Sequence, residues 1–175
     1  MNLGTNILIL CILIVFSAIF SGIETALMAV GKVKVNSLVD QKRRGSLALK
    51  RIKEKTPRMI ITILIGNNLI NISAASFATV VFMEIFGSSG VGIATGIMTF
   101  MILVFGEITP KTFAAQNAVK VSLIAAIPLE FLMKLLFPFV WFFEKITNFV
   151  NNISGAKGEK SVSEEELKSF LTMGR

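Results

Sequence analysis

The sequence predicts an all-α membrane protein: three transmembrane helices followed by a broken juxtamembrane helix. Three observations lead there. Of the 175 residues, 53% are hydrophobic and only 17% are charged, against roughly 45–50% and about 25% in soluble domains. The mean hydropathy is +0.72. The charges are gathered between uncharged runs long enough to cross a bilayer. This composition excludes a soluble enzyme, a disordered tail and a nucleic-acid-binding domain, because the pI of about 9.8 comes mostly from one basic loop. Cys11 is the one cysteine and there is no histidine. An internal disulfide, a cysteine zinc site, a catalytic triad and an imidazole metal ligand are thereby ruled out. No enzymatic activity is expected.

Leu3 to Ile23 is uncharged for 21 residues, about 31 Å of helix and one hydrocarbon thickness. It lacks a basic n-region, and it continues past Glu24 through Ala26 to Val30. It therefore reads as a first span over about 3–30 rather than a cleaved signal peptide. Met59 to Met83 is uncharged for 25 residues, and Ile85 to Gly106 for 22 with a turn at Gly87-Ser88-Ser89-Gly90. These predict spans at about 59–85 and 90–109. Val121 to Phe143 is apolar but holds Glu130 and Lys134, an i,i+4 pair, and Pro128 and Pro138. Its aromatics, Phe137, Phe139, Trp141, Phe142 and Phe143, crowd one end, as they do at a lipid–water interface. A broken juxtamembrane helix over 121–150 is expected, the competing reading being a fourth span.

The loop from Gly31 to Arg58 carries ten Lys or Arg against Asp40 and Glu54. By the positive-inside rule it is cytoplasmic, the N-terminus is outside, and with three spans the C-terminal tail is cytoplasmic. The loop's charge is expected to meet anionic lipid and not nucleic acid. Residues 1–150 form the transmembrane domain. Ser161 followed by Glu164-Glu165-Glu166 reads as the start of a soluble helix, so 151–175 is expected to be a cytoplasmic linker to a missing domain.

Polar side chains inside spans need a reason. Ser17, Ser21 and Glu24 share one face of the first span by their i,i+4 and i,i+3 spacing, and Asn67 and Asn71 share one face of the second. The third ends in Gly106-Glu107-Ile108-Thr109-Pro110-Lys111, where Pro110 cannot donate to the carbonyl of Gly106. The three polar faces can meet between the midplane and the inner half. Every ligand atom on offer is an oxygen, the set that hard cations such as Mg²⁺, Ca²⁺ or Na⁺ take. The plain alternatives are close-packing serines, interhelical asparagine bonds and a Glu24 that reaches for the interface. Intramembrane proteolysis is a poor reading, since Ser21 has no histidine or nearby lysine as a base.

At these residues the sequence resembles the CorC/CNNM family of magnesium transporters. Ser21-Gly22-Ile23-Glu24-Thr25-Ala26 resembles its first-helix motif, Gly66-Asn67-Asn68-Leu69-Ile70-Asn71 its second and Gly106-Glu107-Ile108-Thr109-Pro110-Lys111 its third. The resemblance implies a homodimer of three-helix domains that transports Mg²⁺, usually as efflux driven by Na⁺ entry. It also implies a following pair of CBS modules, which would be the only route for ATP. The ligands it implies are Ser17, Ser21, Asn67, Asn71 and the Gly106 carbonyl. Glu24, Glu107 and Asn68 lie nearby as further ligands or coupling groups, and Pro110 and Lys111 belong to the helix break. Small-residue faces at Ala74 with Ala78 and Gly92 with Gly96 permit close approach between copies. A transporter of another small cation, and a Mg²⁺-sensing scaffold without transport, are the rival functions.

Overall fold

The computed structural model describes residues 3–153, with side chains to 150. The described chain is helical almost throughout: α1 (Leu3–Ala29), α2 (Lys32–Asp40), α3 (Ser46–Glu54), α4 (Thr56–Phe86), α5 (Gly90–Met101), α6 (Thr109–Gln116), α7 (Ala118–Leu135) and α8 (Phe137–Ile153). A 3₁₀ turn at Gly87–Ser89 joins α4 to α5, and a π-helical segment, Ile102–Ile108, joins α5 to α6.

α1 spans 27 residues and α4 31, about 40 and 46 Å, enough to cross and emerge. The stretch Thr56–Gln116 is 61 residues of apolar helix that doubles back at the 3₁₀ turn. Gly87 takes a φ of 63° there, and Gly90 sits directly on the Phe82 carbonyl, where a Cβ would not fit. α5 then packs along α4, which makes this stretch two passes and the bundle three, as expected. The large apolar side chains on the outside of these passes, such as Leu8, Ile72 and Phe100, are what a lipid-facing surface requires.

α2 and α3 sit where α1 ends and α4 begins, which defines a basic end of the bundle. Their apolar residues recur at helical spacing, Val35 with Leu38 and Ala48 with Leu49 and Ile52, all buried. They pack with Leu27, Met59, Ile63, Ala126 and Leu129 into the larger core. Lys53 Nζ donates to the Leu27 carbonyl at 2.9 Å, closing one of the open carbonyls in the last turn of α1. Burial, with the charge of Lys32 nearby, pulls the Lys53 ammonium below its usual range. The smaller core lies toward the other end: Ala74, Ala78 and Met98 with Leu10, Leu13 and Phe82. Ala74 and Ala78 are fully buried there, so these two alanines seat α4 on its own chain's helices and leave no face for a second copy.

α7 and α8 are bent by 81° at Leu136. This is the broken juxtamembrane helix, with the break placed differently from the prolines. Pro128 lies inside α7, whereas Pro138 occupies the second residue of α8, where no backbone donor is needed. α7 packs on α1, α3 and the start of α4, at the basic end. α8 returns against α4 through buried Val140 and an Arg58–Glu144 pair at 2.9 Å.

Glu130 was expected to pair with Lys134 along α7. Its principal partner is Arg51 of α3, which reaches both carboxylate oxygens at 2.7 Å, while Lys134 stands 3.8 Å away. The Arg51 hydrogen bond holds the Glu130 carboxyl below the usual carboxylate range, although its partial burial acts the other way. A depressed carboxylate contributes stability above its unfolded pKa and loses it as pH falls through the folded one. We therefore expect α7 to stay clamped to α3 at neutral pH and to loosen on acidification below about pH 4. Hydrogen exchange of α7 amides at the two pH values checks this, and Glu130→Gln should remove the difference.

Candidate cation site

Measured from the basic end, Ser17, Asn67 and Gly106 lie at nearly one depth, while Ser21, 8 residues from Ala29, lies nearer that end and Asn71, 15 from Thr56, farther from it. Ser17 is 12 residues from Ala29, Asn67 is 11 from Thr56 and Gly106 is 10 from Gln116, about 18, 17 and 15 Å along their helices. α1 lies against both α4 and the π segment.

Two glycines set the contact. A Cβ on Gly106 would stand 2.7 Å from Ser17 Oγ and 3.4 Å from Ser17 Cβ. The π segment is thus pressed directly on the serine. A Cβ on Gly66 would run into the Phe20 ring, whose Cζ is 2.7 Å from that point. Phe20 lies between Ser17 and Ser21 in sequence and fixes how α1 rolls onto α4. A Cβ on Gly22, one turn nearer the basic end, would make only ordinary contact, 3.6 Å from the Ala114 Cβ and from the Pro110 carbonyl oxygen.

Ser17 and Ser21 are fully buried and Asn67 is 8% exposed. Ser17 Oγ, Ser21 Oγ, Asn67 Oδ1 and Asn71 Oδ1 are all buried with no hydrogen-bond partner among the described residues. Buried oxygens without donors are costly, by about 1–3 kcal/mol each. The contrast with neighbouring hydroxyls is informative. Thr25, Thr62, Ser73, Thr79, Thr95 and Thr112 each donate back to the carbonyl four residues earlier, the usual outlet for a hydroxyl in an apolar helix. Ser17, Ser21 and, away on α7, Ser122 do not take that outlet.

The third pass differs from expectation. Pro110 does not interrupt the helix. Instead the hydrogen-bond register widens over Ile102–Ile108, and the Thr109 N–H donates to the Val104 carbonyl, five residues back. Residue 110 would be next in that register to donate to Phe105, and in α register to Gly106. Having no N–H, it donates to neither. The discontinuity is one of register and not of path, of the kind that recurs at functional sites.

The carboxylates are arranged unequally. Glu24 pairs with Lys111 at 3.7 Å, which makes Lys111 an ion-pair partner across α1 and α6 as well as a residue of the helix break. Glu107 is half-buried beside Gly106. Asn68 is exposed, about 100° around α4 from Asn67, and is not brought to the cluster. Among the described residues no three acidic, histidine or cysteine side chains converge as a metal cluster; the unpartnered atoms of α1 and α4 are neutral oxygens. Reasoning from sequence missed Phe20 and the contact function of Gly66, although Gly66 stood in the quoted motif. It also missed the π register.

These features define a polytopic membrane domain with buried, unpartnered oxygens on α1 and α4 and a π-helical turn pressed on Ser17. The model of the family described as the Cyclin M (CNNM) transmembrane N-terminal domain matches residues 8–175, and the chain belongs to that family. Among similar proteins, a UPF0053 protein of Haemophilus influenzae is 42% identical over 173 residues, covering 97% of this chain and 41% of that protein. The UPF0053 inner membrane protein YfjD of Escherichia coli is 38% identical over 163 residues, covering 91% and 38%. A chloroplastic DUF21 domain-containing protein of Arabidopsis thaliana is 36% identical over 166 residues, covering 94% and 25%. The chain spans about two fifths or less of the length of these relatives.

Proposed function

We propose that this chain is the membrane domain of a Mg²⁺ transporter, and that it exports Mg²⁺ in exchange for Na⁺. The observation that carries the reading is the set of four buried oxygens on α1 and α4 that have no hydrogen-bond partner among the described residues, with Ser17 pressed on the π turn. Ser17, Ser21, Asn67, Asn71 and a backbone carbonyl of the turn offer the all-oxygen environment that Mg²⁺ takes, with room in its octahedral shell for retained water. A dication at this depth needs a compensating charge, and Glu107, the neighbour of Gly106 in sequence, is the candidate, Glu24 being occupied by Lys111. The test is flux into liposomes with Mg²⁺ and Na⁺ gradients set independently. Mg²⁺ movement that follows the Na⁺ gradient supports the exchange. Flux of another cation alone, or none at all, would favour the rival transporter or the Mg²⁺-sensing scaffold.

The proposal includes a homodimer. Gly92 and Gly96 of α5 are exposed, with no heavy atom within 4 Å of where a Cβ would stand, leaving that face open to close approach. A dimer mass is expected for the detergent-solubilised protein. Gly92→Leu with Gly96→Leu should shift it toward monomer, and a monomeric wild type at micromolar concentration would contradict the proposal.

It also includes an orientation with residues 31–58 and those after 150 on the cytoplasmic side, resting on the ten basic residues of the loop. Asp40→Cys and Lys157→Cys should react with an impermeant thiol reagent from the same side. Labelling from opposite sides would mean a fourth crossing.

A further inference from the structure

We propose that the turn between α2 and α3, together with the start of α7, forms a headgroup pocket for an anionic phospholipid. A cavity of about 520 Å³ at the basic end is lined by Arg43, Arg44 and Lys120 with Leu123, Ile124 and Ile127, and no carboxylate is among its lining residues. All three cations are exposed. Arg51, further along the groove, is held by Glu130.

The turn that presents Arg43 and Arg44 is built to hold them. α2 ends with Lys42 in the left-handed region at φ 52°. Its N–H donates to the Val39 carbonyl at 2.8 Å and that of Arg43 to Leu38 at 3.1 Å, the paired bonds of a Schellman cap. Gly45 follows at φ 84° and lies directly on the Leu123 carbonyl of α7. Any side chain at position 45 would be strained in conformation and would collide with that backbone. This contact sets the two arginines beside Lys120, so the cluster is fixed by backbone geometry rather than by long side chains alone.

Lipid, rather than free phosphate, is indicated by what continues from the cations. Ile124, Ile127, Phe131 and Leu135 are 68, 53, 68 and 62% exposed and fall on one face of α7 by their spacing. A phosphate needs only the cations. A phospholipid places its phosphate among them and its chains along this apolar stripe, and basic residues at a membrane surface attract anionic headgroups.

The test uses the purified full chain and native mass spectrometry after exchange into mixed micelles of phosphatidylglycerol and phosphatidylcholine. Retention of phosphatidylglycerol is expected to exceed that of phosphatidylcholine by at least about tenfold, from three cations acting together. Arg43→Gln with Arg44→Gln and Lys120→Gln should abolish the preference. Lys34→Gln with Lys50→Gln and Lys55→Gln, an equal charge loss on the same loop, should leave it. Ile124→Gln with Ile127→Gln should lower retention of either lipid. Equal loss in both charge variants would reduce the pocket to diffuse attraction and overturn the proposal. Displacement of the lipid by millimolar inorganic phosphate would assign the site to free phosphate instead. No lipid preference in the wild type would leave the cluster as a contact for an acidic protein surface.

Discussion

Gly106→Ala is expected to weaken Mg²⁺ binding by about 10- to 100-fold, the worth of one charge-assisted ligand contact, while the helix itself becomes more favourable. The added methyl would stand 2.7 Å from Ser17 Oγ, closer than any such contact tolerates, so the hydroxyl must leave its place. By helix propensity alone, alanine for glycine gains about 0.8–1 kcal/mol. Binding and local helix stability therefore move in opposite directions, which a simple packing role for Gly106 does not predict. Ser17→Gly alone should lose binding to a similar extent by removing the oxygen. Adding Ser17→Gly to Gly106→Ala should relieve the crowding without restoring affinity, so the two losses do not add. Calorimetric affinities and thermal melts of the two single variants and the double variant check this.

Asn71→Ala and Ser21→Ala are expected to reduce Mg²⁺ flux by at least about tenfold each while leaving the metal-free protein as stable as the wild type or more so. The reason is the absence of a donor for either oxygen among the described residues. Removing a buried polar atom that makes no hydrogen bond relieves a desolvation cost rather than breaking a contact. If the same residues bonded helix to helix, each alanine would instead cost about 0.6–2 kcal/mol of association. Thermal melts without Mg²⁺ separate the two cases by sign. Adding Mg²⁺ should raise the melting temperature of the wild type and of neither variant.

The passes were legible because burial in lipid demands long uncharged runs, and Leu3, Met59 and Ile85 each open one. The shared faces of Ser17 with Ser21 and of Asn67 with Asn71 were legible because helical spacing alone fixes them. That same spacing turns Asn68 away, and the structure places it on the exposed side. What spacing does not give is how one helix is rolled against another. The seating of Phe20 on Gly66 and of Ser17 on Gly106, and the pairing of Glu24 with Lys111, depend on that roll. The same holds for Ala74 and Ala78. A small-residue pair states that something comes close, not whether it belongs to the same chain. Pro110 told of a missing donor but not of the register, because a proline can be met by a break, a kink or a widened turn. The expected linker helix beginning near Ser161 lies outside the described residues.

Ser17, Ser21, Asn67, Asn71 and the π turn are proposed to hold Mg²⁺ through oxygen. The most direct measurement is a calorimetric Mg²⁺ titration of the wild type beside the Ser21→Ala, Asn71→Ala double variant, each shown to be folded by its thermal melt. Saturable binding by the wild type is expected, and none by the folded double variant over the same concentration range. Wild-type affinity in the folded double variant would contradict this and remove the site.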